Sequence, residues 1–247
     1  VSFCQTLVLL QTSTINPLYD NSTQECSKFM DRYTHHIPPP CTEDVKILHR
    51  DDHILVLSKP AGLLSVPGRI VKDSVLRRVQ VEFPKAVIVH RLDLDTSGLL
   101  VLALTHHAVR ELNRYFRERT IAKEYMAEVF GVIEHDMGVI ALPIAPDWER
   151  RPRQRIDREV GKDSCTRFYV QSRNTASTTL LLKPVTGRSH QLRIHLSSID
   201  HPILGCDLYA HEEALVASTR LRLHASYLAF EHPFSKEKVN FEDAISF

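Results

Sequence analysis

No window of this 247-residue chain approaches the roughly 18 uninterrupted apolar residues that a membrane span requires. It also has no Cys-x-x-Cys pair. Its five cysteines (Cys4, Cys26, Cys41, Cys165 and Cys206) are odd in number and widely spaced, which disfavours a structural zinc site or a redox dithiol and fits a reduced, intracellular compartment. There is no Gly-x-Gly-x-x-Gly, so dinucleotide binding is disfavoured. There is no Gly-x-Ser-x-Gly either, and Ser97 has no obvious base nearby in the sequence. Internal repeats are absent. Net charge is nearly absent as well, with 31 Lys+Arg against 30 Asp+Glu. Without residues 1–43 the balance is 29 against 26, so the overall field is weak and any hold on a polyanion must come from local patches.

What is present describes an ordinary globular protein: 43% hydrophobic and 25% charged residues, enough apolar material for a real core without staples. The length suits one large domain or one domain with an appendage. Residues 1–43 are rich in Ser, Thr, Asn and Gln and end in the stiff spacer Pro38-Pro39-Pro40. Leu7–Leu10 is too short, and its flanks too uncharged, for a secretory signal, and a transit peptide would carry more arginine. The chain opens on Val, consistent with a start further upstream. We expect 1–43 to be an N-terminal extension, partly disordered or packed on the surface, and 44–247 to be a single domain. The expected location is the cytoplasm, or an organelle if the extension serves targeting.

From Asp44 the signals become regular. Val45–Arg50 and His53–Ser58 read as two strands joined by a tight turn at Asp51-Asp52. Asp73 is the expected N-cap of a helix over Ser74–Phe83, and Pro84 stops it. Leu99–Leu104 is an apolar run of strand length. Thr105 caps a helix over His106–Glu118, with Val109, Leu112 and Phe116 inward and Arg110, Arg114 and Arg117 outward. Glu124–Phe130, Cys165–Ser172, Thr178–Lys183 and Leu221–Glu231 read as strands, and Ser189–Ser198 as a helix capped by Ser189. Strands with irregularly inserted helices predict an α+β fold around a mixed, mostly antiparallel central sheet.

Three segments concentrate chemistry. Val89–Gly98 is a charge-dense turn before a buried strand, which places Asp93 and Asp95 on a loop held by a rigid scaffold. It reads equally as a solvated turn closed by Thr96-Ser97-Gly98. Lys183–His195 carries Arg193 on a helix. A buried Arg193 would need a carboxylate, which Asp93 or Asp95 could supply, whereas an exposed one would need none. Arg150-Arg151-Pro152-Arg153-Gln154-Arg155, with Arg158, and the stretch Arg110, Arg114, Arg117, Arg119, Lys123 are basic runs able to meet phosphates. His90, His190 and His195 with Asp93 imitate a metal site, but the spacing of five between His190 and His195 turns them to different helix faces. Asp93 and Asp95 could also form the acid/base pair of a glycosidase.

His90-Arg91-Leu92-Asp93 followed by Thr96-Ser97-Gly98 resembles the catalytic signature of the RluA-type pseudouridine synthases. Three further segments are similar to that family's motifs in the expected order: Lys59–Gly68, Ala122-Lys123-Glu124-Tyr125, and Gly187–Arg193. The resemblance runs from about Asp44 to the C-terminus and leaves 1–43 aside. It implies the pseudouridine synthase fold and an isomerase that flips a uridine out of structured RNA, cleaves C1′–N1 and rejoins the base through C5, with no metal and no cofactor. It implies that Asp93 is the essential carboxylate, that Tyr125 lies on the uracil and assists proton removal from C5, and that Arg193 pairs with Asp93. Leu192, Arg91, His90 and Arg188 would contact the substrate, with Lys123, Arg150, Arg151, Arg153 and Arg155 on phosphates. The implied partner is ribosomal RNA of the large subunit, transfer RNA, or both, met by a monomer away from any membrane. The competing expectation is an RNA-binding or RNA-chaperone module with an idle site. One departure stands out: Cys206 and Leu208 in Gly205–Tyr209 occupy places where the family has polar or aromatic residues.

Overall fold

The computed structural model of the chain describes residues 37–245, so the expectation for the extension lies outside the described residues up to position 36. The chain forms β1 (Lys46–Arg50), β2 (Ile54–Lys59), α1 (Val75–Val79), β3 (Val87–Ile88), β4 (Ser97–Ala103), α2 (His106–Glu118) and β5 (Ala122–Phe130). The second half adds β6 (Met137–Ile140), β7 (Ile144–Pro146), β8 (Gln154–Ile156), β9 (Thr166–Arg173) and β10 (Ser177–Pro184). It ends with α3 (Gln191–Ser197), α4 (Glu212–Val216), β11 (Leu223–Glu231) and β12 (Lys238–Glu242).

Ten of the strands make one sheet. Its path is β1-β2-β4-β11-β5-β10-β9-β6, with β12 also on β11 and β3 on β4, while β7 and β8 form a separate hairpin. Every pair in the sheet is antiparallel except β4 with β11, where Ser97 faces His224 and Gly98 faces Ala225. The fold is therefore α+β with a mixed, mostly antiparallel sheet, as the residue patterns predict. β4 is buried along its whole length, which is why its sequence is continuously apolar rather than alternating.

Two apolar clusters fill the protein. One gathers Ile54–Leu57 of β2, Leu99–Ala103 of β4 and Leu112 and Tyr115 of α2; the other gathers Ala127, Val129, Leu180, Leu182, Leu192 and Leu196. Tyr125 packs against both, so the middle of β5 marks the seam between them.

Local chemistry explains where the sequence reading holds and where it slips. α2 starts where expected because Thr105 accepts the N–H of Ala108 at 3.2 Å. α1 is shorter than the expected Ser74–Phe83, and Ser74, not Asp73, is its cap, accepting from Arg77. Asp73 turns instead to the guanidinium of Arg78 at 2.6 Å. α3 likewise begins at Gln191, not Ser189; its N-cap is His190 in the left-handed region at φ 55°. The Gln191 side chain does the capping work, accepting the N–H of Arg188 at 3.0 Å and the hydroxyl of Thr186 at 2.7 Å.

Candidate active site

Asp93 sits on the loop between β3 and β4, and its two neighbours are clamped. Ser65 bridges Leu92, accepting its N–H at 3.1 Å and donating to its carbonyl at 2.8 Å. The Leu94 carbonyl accepts from Gly62 N–H at 3.0 Å and from Lys59 Nζ at 2.8 Å. Leu92 is itself buried in the first cluster. The segment 59–65 thus fixes the backbone on both sides of a half-buried carboxylate, the preorganisation that acid, base or nucleophilic chemistry requires.

The far end of the loop is fixed as firmly. Gly98 has φ +106°, and a Cβ there would lie 2.3 Å from the Ala225 carbonyl oxygen, so only glycine lets β4 meet β11. Ser97 is buried, 2.8 Å from His224 Nδ1, and it accepts from Arg220 at 2.6 Å; His224 Nε2 stands 3.3 Å from Asp243. The fold therefore supplies the base that Ser97 lacks in sequence, but it does so inside the protein, where the group latches strands together.

Asp93 opens into a cavity of about 470 Å³ at the seam, a size suited to a small ligand or a single nucleoside. Among its lining residues it is the sole carboxylate, against six cations: Arg91, Arg117, Arg119, Lys123, Arg188 and Arg193. A protein with almost no net charge thus carries a strongly positive pocket. Tyr125 lines it too. Burial, with the Asp93 charge adding, pushes the phenol well above its ordinary range, so Tyr125 enters the site protonated at neutral pH.

Arg193 is buried, as the pairing expectation requires. Its NH1 lies 3.9 Å from Asp93 Oδ2, while NH2 makes a closer ion pair with Asp207 and Nε donates to Cys206 Sγ at 3.3 Å. Asp93 is the looser of two carboxylate partners. Asp207 was missed because nothing in the sequence says that 205–209 folds back over α3. His190 was missed as well, having been weighed only as a metal ligand. Tyr209 O–H accepts the N–H of Gln154 at 2.8 Å and lies 2.8 Å from His190 Nδ1, to which it can donate. That leaves the His190 proton on Nε2, which faces Asp93 Oδ1 at 4.0 Å. Burial lowers the His190 pKa and keeps the ring neutral.

The remaining expected residues divide. Leu192 is buried and Arg188 half-buried, both lining the cavity; Arg91 is on its exposed rim. His90 is a fixed wall: burial, then Lys123, lowers its pKa to about 3, its Nε2 accepts Val101 N–H at 3.0 Å, and its ring stacks on Phe116. His195 is occupied by Thr166 and the Leu142 carbonyl, and among the described residues no group of three His, Cys, Asp or Glu is arranged to hold a metal ion. Of the arginine run, Arg150 pairs with Asp147, Arg155 with Asp157, and Arg153 donates to the Leu208 carbonyl. Lys123, by contrast, lines the cavity, its pKa lowered by burial and by Arg119.

Lys59 makes a testable clamp. It is fully buried, and Nζ contacts the carbonyls of Pro60, Leu63 and Leu94 at 2.7–2.8 Å. Three such bonds need the ammonium form, yet burial, opposed chiefly by Asp95, lowers the pKa to about 7. Below pH 7 the folded protein bears the cost of a buried charge. Between 7 and the ordinary lysine range that cost is relieved, so this group's contribution to stability rises with pH while the clamp loses a donor. We expect wild-type kcat to fall as pH rises through about 7, and Lys59→Met to lose that alkaline limb, start from a lower kcat and melt earlier. A pH–rate profile alongside thermal melts checks this; an unchanged profile in the variant would refute the clamp.

The sequence profile of a family described as RNA pseudouridylate synthase matches residues 53–198. A Yersinia pestis protein named dual-specificity RNA pseudouridine synthase RluA is 52% identical over 190 residues, 76% of this chain and 92% of that one. The protein of the same name from Escherichia coli strain K12 is 46% identical over 212 residues, 85% and 97% of the two chains. Among solved structures, human RNA pseudouridylate synthase domain containing 1 superposes with a TM-score of 0.72 at 29% identity, covering 84% of this chain and 86% of that one.

Proposed function

The chain belongs to the RluA family of RNA pseudouridine synthases, isomerases of uridine in RNA, and from that premise we propose that Asp93 starts the reaction on a uridine flipped into the cationic cavity. The observation that carries the reading is the lone carboxylate, clamped on both sides, among six cations. The reaction breaks C1′–N1, turns the uracil and forms C1′–C5. The hydrogen on C5 leaves and N1 takes a proton, so atoms balance without a further reactant. The cations would hold the flanking phosphates while the base is out of its stack.

Within that scheme Leu192 and the Tyr125 ring would pack on the uracil, and Arg193 would hold Asp93 in place. Because the Tyr125 phenol is protonated at rest, it can take the C5 proton only as its own proton moves on, toward Asp93 or solvent. His90 would brace the loop rather than touch the base. Every residue in the scheme comes from one chain, so a monomer suffices. No helix among the described residues is long and apolar enough to cross a membrane, and the cytoplasm, which holds both ribosomal and transfer RNA, is the compartment we assign.

The relatives are named dual-specificity enzymes, and we extend the proposal to two substrates, large-subunit ribosomal RNA and a transfer RNA anticodon stem-loop. Purified protein should release tritium from both RNAs when their uridines carry it at C5, and modification mapping should place one site in each. Turnover of one RNA alone would overturn the dual assignment; turnover of neither would overturn the reading itself.

A further inference from the structure

The cavity accounts for a single nucleotide, and the β7–β8 hairpin carries a feature the cavity does not use. Trp148, the only tryptophan in the chain, is 68% exposed on the loop between these strands. The loop is a built turn. The buried Asp147 carboxylate accepts from the N–H of Arg150 at 3.3 Å and from its Nε at 2.9 Å, and Asp147 N–H donates to the Arg153 carbonyl at 3.1 Å. That scaffold is what turns the indole outward. The guanidinium of Arg151 stands 3.8 Å over its ring, and among the described residues Arg151 meets no carboxylate.

The hairpin is also locked to the active site. Arg153 donates to the Leu208 carbonyl, and Gln154 N–H donates to the Tyr209 hydroxyl, which reaches His190 beside Asp93. Whatever Trp148 binds is therefore held at a set distance from the catalytic carboxylate. Residues 147–151 contain Asp147, Glu149, Arg150 and Arg151, a formal balance of zero, so this tip is not a phosphate patch. Its distinguishing chemistry is an exposed aromatic face backed by a cation.

We propose that Trp148, with Arg151 over its ring, is a stacking platform for an unpaired base of the RNA substrate, outside the catalytic cavity. The inference rests on RNA as the substrate and adds a second point of contact. Flipping a uridine leaves its loop neighbours without a stacking partner, and an indole face is a sequence-tolerant replacement. A guanidinium on one face and a base on the other sandwich the ring.

The single tryptophan makes the test direct. In full-length protein carrying Asp93→Asn to stop turnover, indole emission is followed on titration with a hairpin RNA whose loop holds unpaired uridines. A blunt RNA duplex of the same length serves as the comparison, both read at equal saturation by filter binding. Strong quenching by the hairpin and little by the duplex is expected; equal quenching, or none, overturns the platform. Trp148→Ala should raise the hairpin Kd by about 5- to 150-fold while leaving the duplex unaffected, with Trp148→Phe recovering much of the loss. An unchanged hairpin Kd in a normally melting Trp148→Ala protein also overturns it. Tritium release by wild-type protein reports separately: activity without quenching sinks only the platform, whereas inactivity on every RNA sinks the functional reading.

Discussion

Asp93→Asn is expected to abolish pseudouridine formation, lowering kcat by about 10⁴-fold or more, while leaving the fold and RNA affinity intact. Asparagine keeps the volume and most of the hydrogen-bonding geometry, and the backbone clamps at Leu92 and Leu94 do not involve the side chain. What is lost is the anion, the only carboxylate in the cavity. The sign of the binding effect follows from the same census. Deleting a negative charge among six cations removes repulsion toward phosphate, so affinity should hold or tighten. Asp93→Glu should fail too, because a carboxylate displaced by about 1 Å costs on the order of 10² in rate. Asp95 does not line the cavity, and Asp95→Asn should keep turnover within about tenfold. Tritium release with melting curves for all three variants checks this. Near-wild-type turnover in Asp93→Asn would remove the central claim. Equal damage from Asp95→Asn together with free uracil would instead favour a glycoside-hydrolase use of the two carboxylates.

Legibility in the sequence followed the range of the interactions. The bounds of α2 were readable to the residue because its cap lies within one stretch of chain, but its buried stripe is Ala108, Leu112 and Tyr115, with the expected Val109 and Phe116 only half-buried beside it. β4 was readable because burial on both faces leaves an unbroken apolar run. β3, β6, β7, β8 and β12 were not: strands of two to five residues mostly show too little alternation to stand out. The start of α3 was misplaced because a serine rule was applied where a glutamine side chain, folded back on Arg188 and Thr186, closes the turn. Sequence could not show that Asp147, Asp157 and the Leu208 carbonyl hold three members of the arginine run expected on phosphates.

The site divides the same way. Asp93, Tyr125 and Arg193 were found by motif resemblance, and the fold brings all three to one cavity. The resemblance marked Lys59–Gly68 as a motif but not which atoms it holds: Lys59 and Ser65 lie 35 and 27 residues from their loop partners, and Asp207, which it did not mark, lies 14 residues from Arg193. Restraint of this kind depends on which loops return to the site, a property of topology rather than of local composition.

That hidden partner decides what Arg193 should do when replaced. The guanidinium is buried and meets Asp207, Cys206, Asp93 and the Tyr209 ring, with Asp93 the farther of its two carboxylates. Arg193→Met keeps most of the volume and leaves both carboxylates partly open to water, so neither becomes a buried orphan. The stability loss should therefore stay near or below about 2 kcal/mol, under the cost of stranding a buried charge. Activity should fall far more, by about 10²- to 10³-fold, because Asp93 loses the cation that orients it. Arg193→Lys should recover little, since one ammonium cannot serve three directions as a planar fork does. Asp207→Asn gives the complementary reading. With the tighter partner weakened, the guanidinium can swing toward Asp93, so turnover should be kept or rise while stability drops by about 1–3 kcal/mol, the carboxylate being half-exposed but the guanidinium buried. Tritium-release kinetics and denaturant melts on the three variants separate orientation from stability. Full activity in Arg193→Met would refute the pairing, and a collapse of turnover in Asp207→Asn would show that Asp207, not Asp93, is the carboxylate Arg193 exists to hold.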